Sequence, residues 1–104
     1  MATSETSGPF NSDADTYSTP VFQEWRELIR SSQVKSGDPD GLAHEVKQRH
    51  MLEACKQAGV ELGALDRSVI AWLANYEATT SAVIVGIISR AHAAGRAASA
   101  SDTA

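Results

Sequence analysis

Few residues in this chain could bind a metal or act as a nucleophile: His44, His50, His92 and the single Cys55. A zinc or iron site needs such ligands, with carboxylates, converging at set spacings. His44 and His50 stand six apart, which puts them on different faces of a helix. His44-Glu45 opens an H-E-x-x-H motif, but position 48 is a glutamine. No metal is expected, and the histidines read as structural or solvent-facing. One cysteine cannot form an intrachain disulfide. Cys55 falls in a helical pattern, where its expected role is that of a small buried hydrophobe rather than a reactive thiol.

Other chemistries find no better footing. The seven glycines form neither G-x-G-x-x-G nor G-x-x-x-x-G-K-[ST], so no backbone loop is laid out to cradle phosphate. There is no G-x-S-x-G elbow, and no Ser-His-Asp arrangement can be read from the spacing. Asp38 and Asp40 are close carboxylates, but Gly37, Pro39 and Gly41 place them in a turn, where helix capping accounts for both. The expectation is a protein that is not an enzyme and carries no cofactor.

Charge and composition narrow the partners. Nine Lys and Arg stand against thirteen Asp and Glu in 104 residues, a formal charge of −4. Three of the acids (Glu5, Asp13, Asp15) lie in residues 1–19, which hold no base, so the remainder is nearly neutral and carries no domain-scale basic patch. Nucleic acid held by bulk electrostatics is therefore not expected. No segment approaches the ~20 apolar residues that span a bilayer, and the N-terminus lacks the basic and apolar regions of a signal peptide. Neither membrane association nor export is expected, and the cytoplasm is the expected compartment. Seventeen alanines leave 27 larger apolar residues, enough for one small domain. Helices so rich in alanine resemble those of proteins from high-GC bacteria.

The elements follow from capping and periodicity. Residues 1–19, rich in Ser, Thr and Asp, show no period and are expected to form a disordered polar tail. Residues 97–104 are expected as a flexible Ala/Ser tail, and the helical domain as 20–96. A first helix at 20–31 opens with Thr19 as N-cap and Pro20 at the first position. Val21, Phe22, Trp25, Leu28 and Ile29 share one face of it, opposite Glu24, Arg26, Glu27 and Arg30. A second helix at 40–58 is capped by Asp38 or Asp40 and stopped by Gly59. A third, at 66–76, should turn Val69, Ile70, Leu73 and Tyr76 inward with Trp72 at the edge of that stripe. A fourth, at 79–94, should be capped by Thr79 or Thr80, with Gly95 just past its end. Its β-branched run would suit a strand by composition, but no second strand exists to pair with it. The fold class is all-α, a small bundle of four short helices with disordered tails.

Residues 82–88 are the most informative stretch. Aliphatic side chains surround the helix there for two turns, which calls for burial all round, and Gly86 with Ala82 permits close approach of another backbone. The run is either the centre of the core or partly a subunit interface. These features predict a small helical interaction or regulatory protein that binds another protein, with self-association as a homodimer one form of the contact. The candidate interaction residues are Trp72, Tyr76, Val83, Val85, Gly86 and Ile87. A DNA-associated regulator using a helix-turn-helix-like hairpin at 66–90 is the alternative. It is weakened by a second helix that offers aliphatics rather than Arg, Lys, Asn or Gln to base edges, with Arg90 its first charge.

Overall fold

A computed structural model describes residues 7–103 of the chain. It is all-helical: α1 Pro20–Arg30, α2 Leu42–Gln57, α3 Ala64–Leu73 and α4 Ala78–Thr103, preceded by a single 3-10 turn at Asp13–Thr16. The β-branched run at 82–88 is helical, within α4. Among the described residues no helix is long and apolar enough to cross a membrane.

Local chemistry sets the helix ends. The Thr19 hydroxyl accepts the Phe22 N–H at 3.3 Å, and Pro20 takes the first helical position, where its missing donor is not needed. At α2 the cap is Asp38. Its carboxylate accepts the Ala43 and His44 N–H groups at 3.1 Å each, reaching over a turn in which Gly41 has φ +69°. Gly59, at φ +75°, ends α2 as expected, its left-handed conformation letting the Val60 N–H return to the Cys55 carbonyl. α3 starts at Ala64 rather than 66, with the Asp66 carboxylate accepting the Gly63 N–H. α4 starts at Ala78, so Thr79 and Thr80 lie inside its first turn rather than capping it.

α4 runs on to Thr103, past the expected end at 94, because Gly95 keeps a helical backbone and alanine favours continuation. The segment expected as a disordered tail divides. Residues 1–6 lie outside the described residues, whereas 7–19 pack on the bundle. The Asp15 carboxylate accepts the Asn11 and Ser12 N–H groups, Thr16 and Thr19 are buried, and the 3-10 turn rests on α4. A few buried threonines and one ring seated on a glycine order a segment whose composition alone lacks the apolar surface for it.

The core lies where α1, α2 and α4 meet, around Val21, Val46 and Ala82, with Leu28 at its margin. Among the described residues, five of the ten buried apolar side chains are alanines. On α4 the buried line is Ala78, Ser81, Ala82 and Gly86, all small, so neighbouring backbones approach closely along it. Val83, Ile84, Val85 and Ile88 flank that line half-buried, and Ile87 is exposed. The aliphatic girdle is therefore not sealed from solvent all round, as its sequence suggests. α3 packs on α2 and barely touches α4, so the expected 66–90 hairpin is not a packed pair.

Candidate functional site

Two side chains of α2 fix how α3 lies. His44 donates from Nε2 to the Ala71 carbonyl at 2.7 Å; a carbonyl only accepts, so that nitrogen carries the proton. Lys47, one helical turn further on, donates from Nζ to the Tyr76 carbonyl at 2.6 Å. Burial pushes the Lys47 ammonium below the ordinary lysine range, while the Asp38 charge partly opposes that shift. Together the two anchors turn Ala74 fully inward, with Ile70 and Leu73 half-buried beside it.

That orientation corrects the expected stripe. Val69 and Tyr76 do not face inward, and no residue of α3 itself is fully buried. Leu65, Val69, Trp72 and Tyr76 form the outer line, at spacings of four, three and four. They are 77%, 44%, 56% and 47% exposed. Leu65, in the first turn of the helix, is the most exposed of them. The Trp72 and Tyr76 rings meet edge to face at 5.1 Å, which holds the two as one aromatic unit.

Tyr76 also lines a cleft of about 510 Å3 between the 3-10 turn, α1 and the α3–α4 connection. Tyr17, Phe22 and Trp25 complete its aromatic wall, with Tyr17 and Phe22 rings 4.6 Å apart and Phe22 and Trp25 rings 5.3 Å apart. The Arg26 guanidinium lies over Tyr17 and Phe22 at 5.5 and 5.0 Å. A larger groove of about 750 Å3 follows the outer side of α2. Glu45, Arg49, Glu53, Lys56 and Arg67 mix both signs around it, so it favours no ligand charge.

The six candidate residues therefore separate. Trp72, on the exposed side of α3, and Tyr76, just past the end of that helix, stand together. Val83 and Val85 are half-buried and Ile87 exposed on α4. Gly86 is covered: a Cβ built on it would lie 2.6 Å from a Phe10 ring carbon and 2.7 Å from the Ser7 carbonyl oxygen. Gly86 does provide a close-approach point, but the backbone that uses it is the chain's own N-terminal segment. Arg90 is turned to the same place, donating from Nε to the Ser7 and Gly86 carbonyls at 2.9 and 3.2 Å.

Sequence reasoning missed Leu65 and Val69 as surface residues, and Tyr17 and Trp25 as parts of a cleft. The period-four spacing from Leu65 was legible; which of two apolar lines α3 would bury was not. The histidines engage structural partners, His44 as above and His50 with the Glu24 carboxylate at 2.8 Å. Among the described residues no three His, Cys, Asp or Glu side chains converge as a metal site. Comparison of the chain with protein-family models, curated proteins and solved structures finds no match.

Proposed function

We propose that this chain is a small non-enzymatic interaction protein that regulates or assembles another protein through the outer face of α3. One observation carries the reading: three large apolar residues, Leu65, Val69 and Trp72, lie exposed along one side of α3, a helix held in place from behind, and exposed Tyr76, just past its end, packs on Trp72. Leaving such side chains in water forgoes roughly 1.5–3 kcal/mol for each that could be buried. Anchors at these spacings are those a helix lays into a partner's apolar groove. Trp and Tyr are also the residue types most often carrying binding energy at interfaces. The partner is a protein, and a second copy of the chain meeting it face to face would be the homodimeric form. The cytoplasm is the compartment proposed for this contact.

The test compares tagged wild type with a Leu65→Ser, Trp72→Ser double variant in two experiments. Capture from the native cell should retain a protein on the wild type that the variant loses, while their circular dichroism spectra superimpose. Sedimentation equilibrium distinguishes the homodimer, at twice the 11.0 kDa chain mass, from a foreign partner. A captured set unchanged by the double variant, with both proteins monomeric, overturns the reading.

A further inference from the structure

The N-terminal segment meets α4 at one defined seat. The Phe10 ring and the Ser7 carbonyl lie where a side chain at position 86 would stand, 2.6 and 2.7 Å from a Cβ built on Gly86. One turn further on, Arg90 donates from Nε to the Ser7 carbonyl at 2.9 Å. We propose that residues 7–15 form an autoinhibitory latch. It leaves α4 as a unit while the bundle stays folded. The vacated seat then takes an extended segment of a partner protein that presents an aromatic ring three residues after a backbone carbonyl. The seat shares no residue with the α3 face.

Three observations point to a latch rather than a fixed part of the core. The first is that the seat is shaped for a backbone. Glycine inside a helix costs stability relative to alanine, and Gly86, within α4, leaves the space that the ring and the carbonyl fill. Arg90 reads a main-chain oxygen, a group that every segment carries. The latch therefore offers one ring and one carbonyl, and another chain can offer both.

The second is separability. No residue of 7–15 is fully buried, and the first buried position is Thr16. The turn closes its hydrogen bonds on itself: the Asp15 carboxylate accepts the Asn11 and Ser12 N–H groups, and the Asp15 N–H goes to the Ser12 carbonyl. Among the described residues, the single hydrogen bond from 7–15 to the four helices is the one from Arg90. Segments with so few buried contacts open first in a fold. Thr19, which caps α1, stays behind.

The third concerns the occupant. Two copies that exchange latches trade one contact for an identical one and add the entropy lost on association. A partner segment has no seat of its own to give up, so it competes with the latch alone. A latch tethered beside its seat acts at about millimolar effective concentration. Closed in about nine molecules of ten, it corresponds to a free segment that binds at about 100 µM.

The experiment titrates the full chain into a fluorescein-labelled peptide of residues 7–16, Ser-Gly-Pro-Phe-Asn-Ser-Asp-Ala-Asp-Thr, with fluorescence polarisation as the readout. Phe10→Ser loosens the latch, so that variant should bind the peptide saturably. Wild type should bind about tenfold more weakly, because its seat is occupied. In the Phe10→Ser background, Gly86→Ala should reduce affinity at least tenfold, since its methyl fills the seat. Arg90→Met should weaken binding about tenfold, the worth of a hydrogen bond from a charged donor. A peptide with Ser in place of Phe should not bind. Thermal melts check that the variants fold.

The Leu65→Ser, Trp72→Ser double variant should leave peptide affinity unchanged, which separates a failure of the seat from a failure of the α3 face. Absence of saturable binding to Phe10→Ser up to about millimolar protein overturns the proposal. So does equal affinity of wild type and Phe10→Ser, or affinity untouched by Gly86→Ala. A wild-type dimer in sedimentation equilibrium at about 100 µM that Gly86→Ala dissolves gives the seat to a second copy, and overturns the partner segment.

Discussion

Glu24 stands on the polar side of α1, yet its carboxylate is not free in solvent, accepting hydrogen bonds from both Arg49 and His50 of α2. The His50 hydrogen bond holds the Glu24 carboxyl below its ordinary range, and Arg49 adds to this against an opposing effect of partial burial. A carboxyl lowered by folding stabilises the fold fully above its unfolded pKa, about 4.3, and loses that contribution as pH falls further. At 41% exposure solvent limits its worth to about 1 kcal/mol or less. Glu24→Ala should therefore lower the urea midpoint at pH 7, and the gap from wild type should shrink progressively below pH 4.3. Two glycines of α4 provide a paired test. Gly95 has nothing within 4 Å of a built Cβ, so Gly95→Ala should add about 0.5–1 kcal/mol by helix propensity. Gly86→Ala gains the same propensity but drives a methyl into Phe10 and the Ser7 carbonyl, and should cost about 1–3 kcal/mol net. Urea melts of both variants should move in opposite directions.

At the scale of elements, α3 shows how a helix with two apolar lines is resolved. Ala71 and Ala74 let it approach α2, and the His44 and Lys47 hydrogen bonds select that rotation. The larger residues of the other line are left outside. Leu73→Ala should cost about 2 kcal/mol, the low end for leucine because Leu73 is only half-buried. Leu65→Ser should stay within about 0.5 kcal/mol. Chemical denaturation of both reads out the rotation directly, since equal midpoints would contradict it.

For the whole molecule, the N-terminal segment belongs to the bundle. Deleting residues 1–18 removes the Phe10 contact with Gly86, the Ser7 carbonyl that receives Arg90, and buried Thr16. The truncated chain should melt several degrees lower, since each kcal/mol lost shifts the midpoint by roughly 4–8 °C in a domain of this size. Thermal denaturation followed by circular dichroism measures it, and an unchanged midpoint would show those contacts to be energetically idle.

What the sequence determined by itself was local. Thr19 with Pro20, Asp38 before α2 and Gly59 after it each act through hydrogen bonds or backbone angles within about six residues, so type and spacing sufficed to place those boundaries. The all-helical class followed as well, because no second strand existed to pair with residues 82–88. What only the tertiary structure decided was which apolar face turned inward. In an alanine-rich chain the faces that pack best are those with the smallest residues, because small side chains let helix backbones approach closely. Reading faces by the size of their apolar residues therefore places Val69 and Tyr76 inside, and leaves Gly86 open to either the core or a second copy. The aromatic cleft was equally hidden, since its wall joins Tyr17, Trp25 and Tyr76 across 59 positions of chain. Only packing could bring them together.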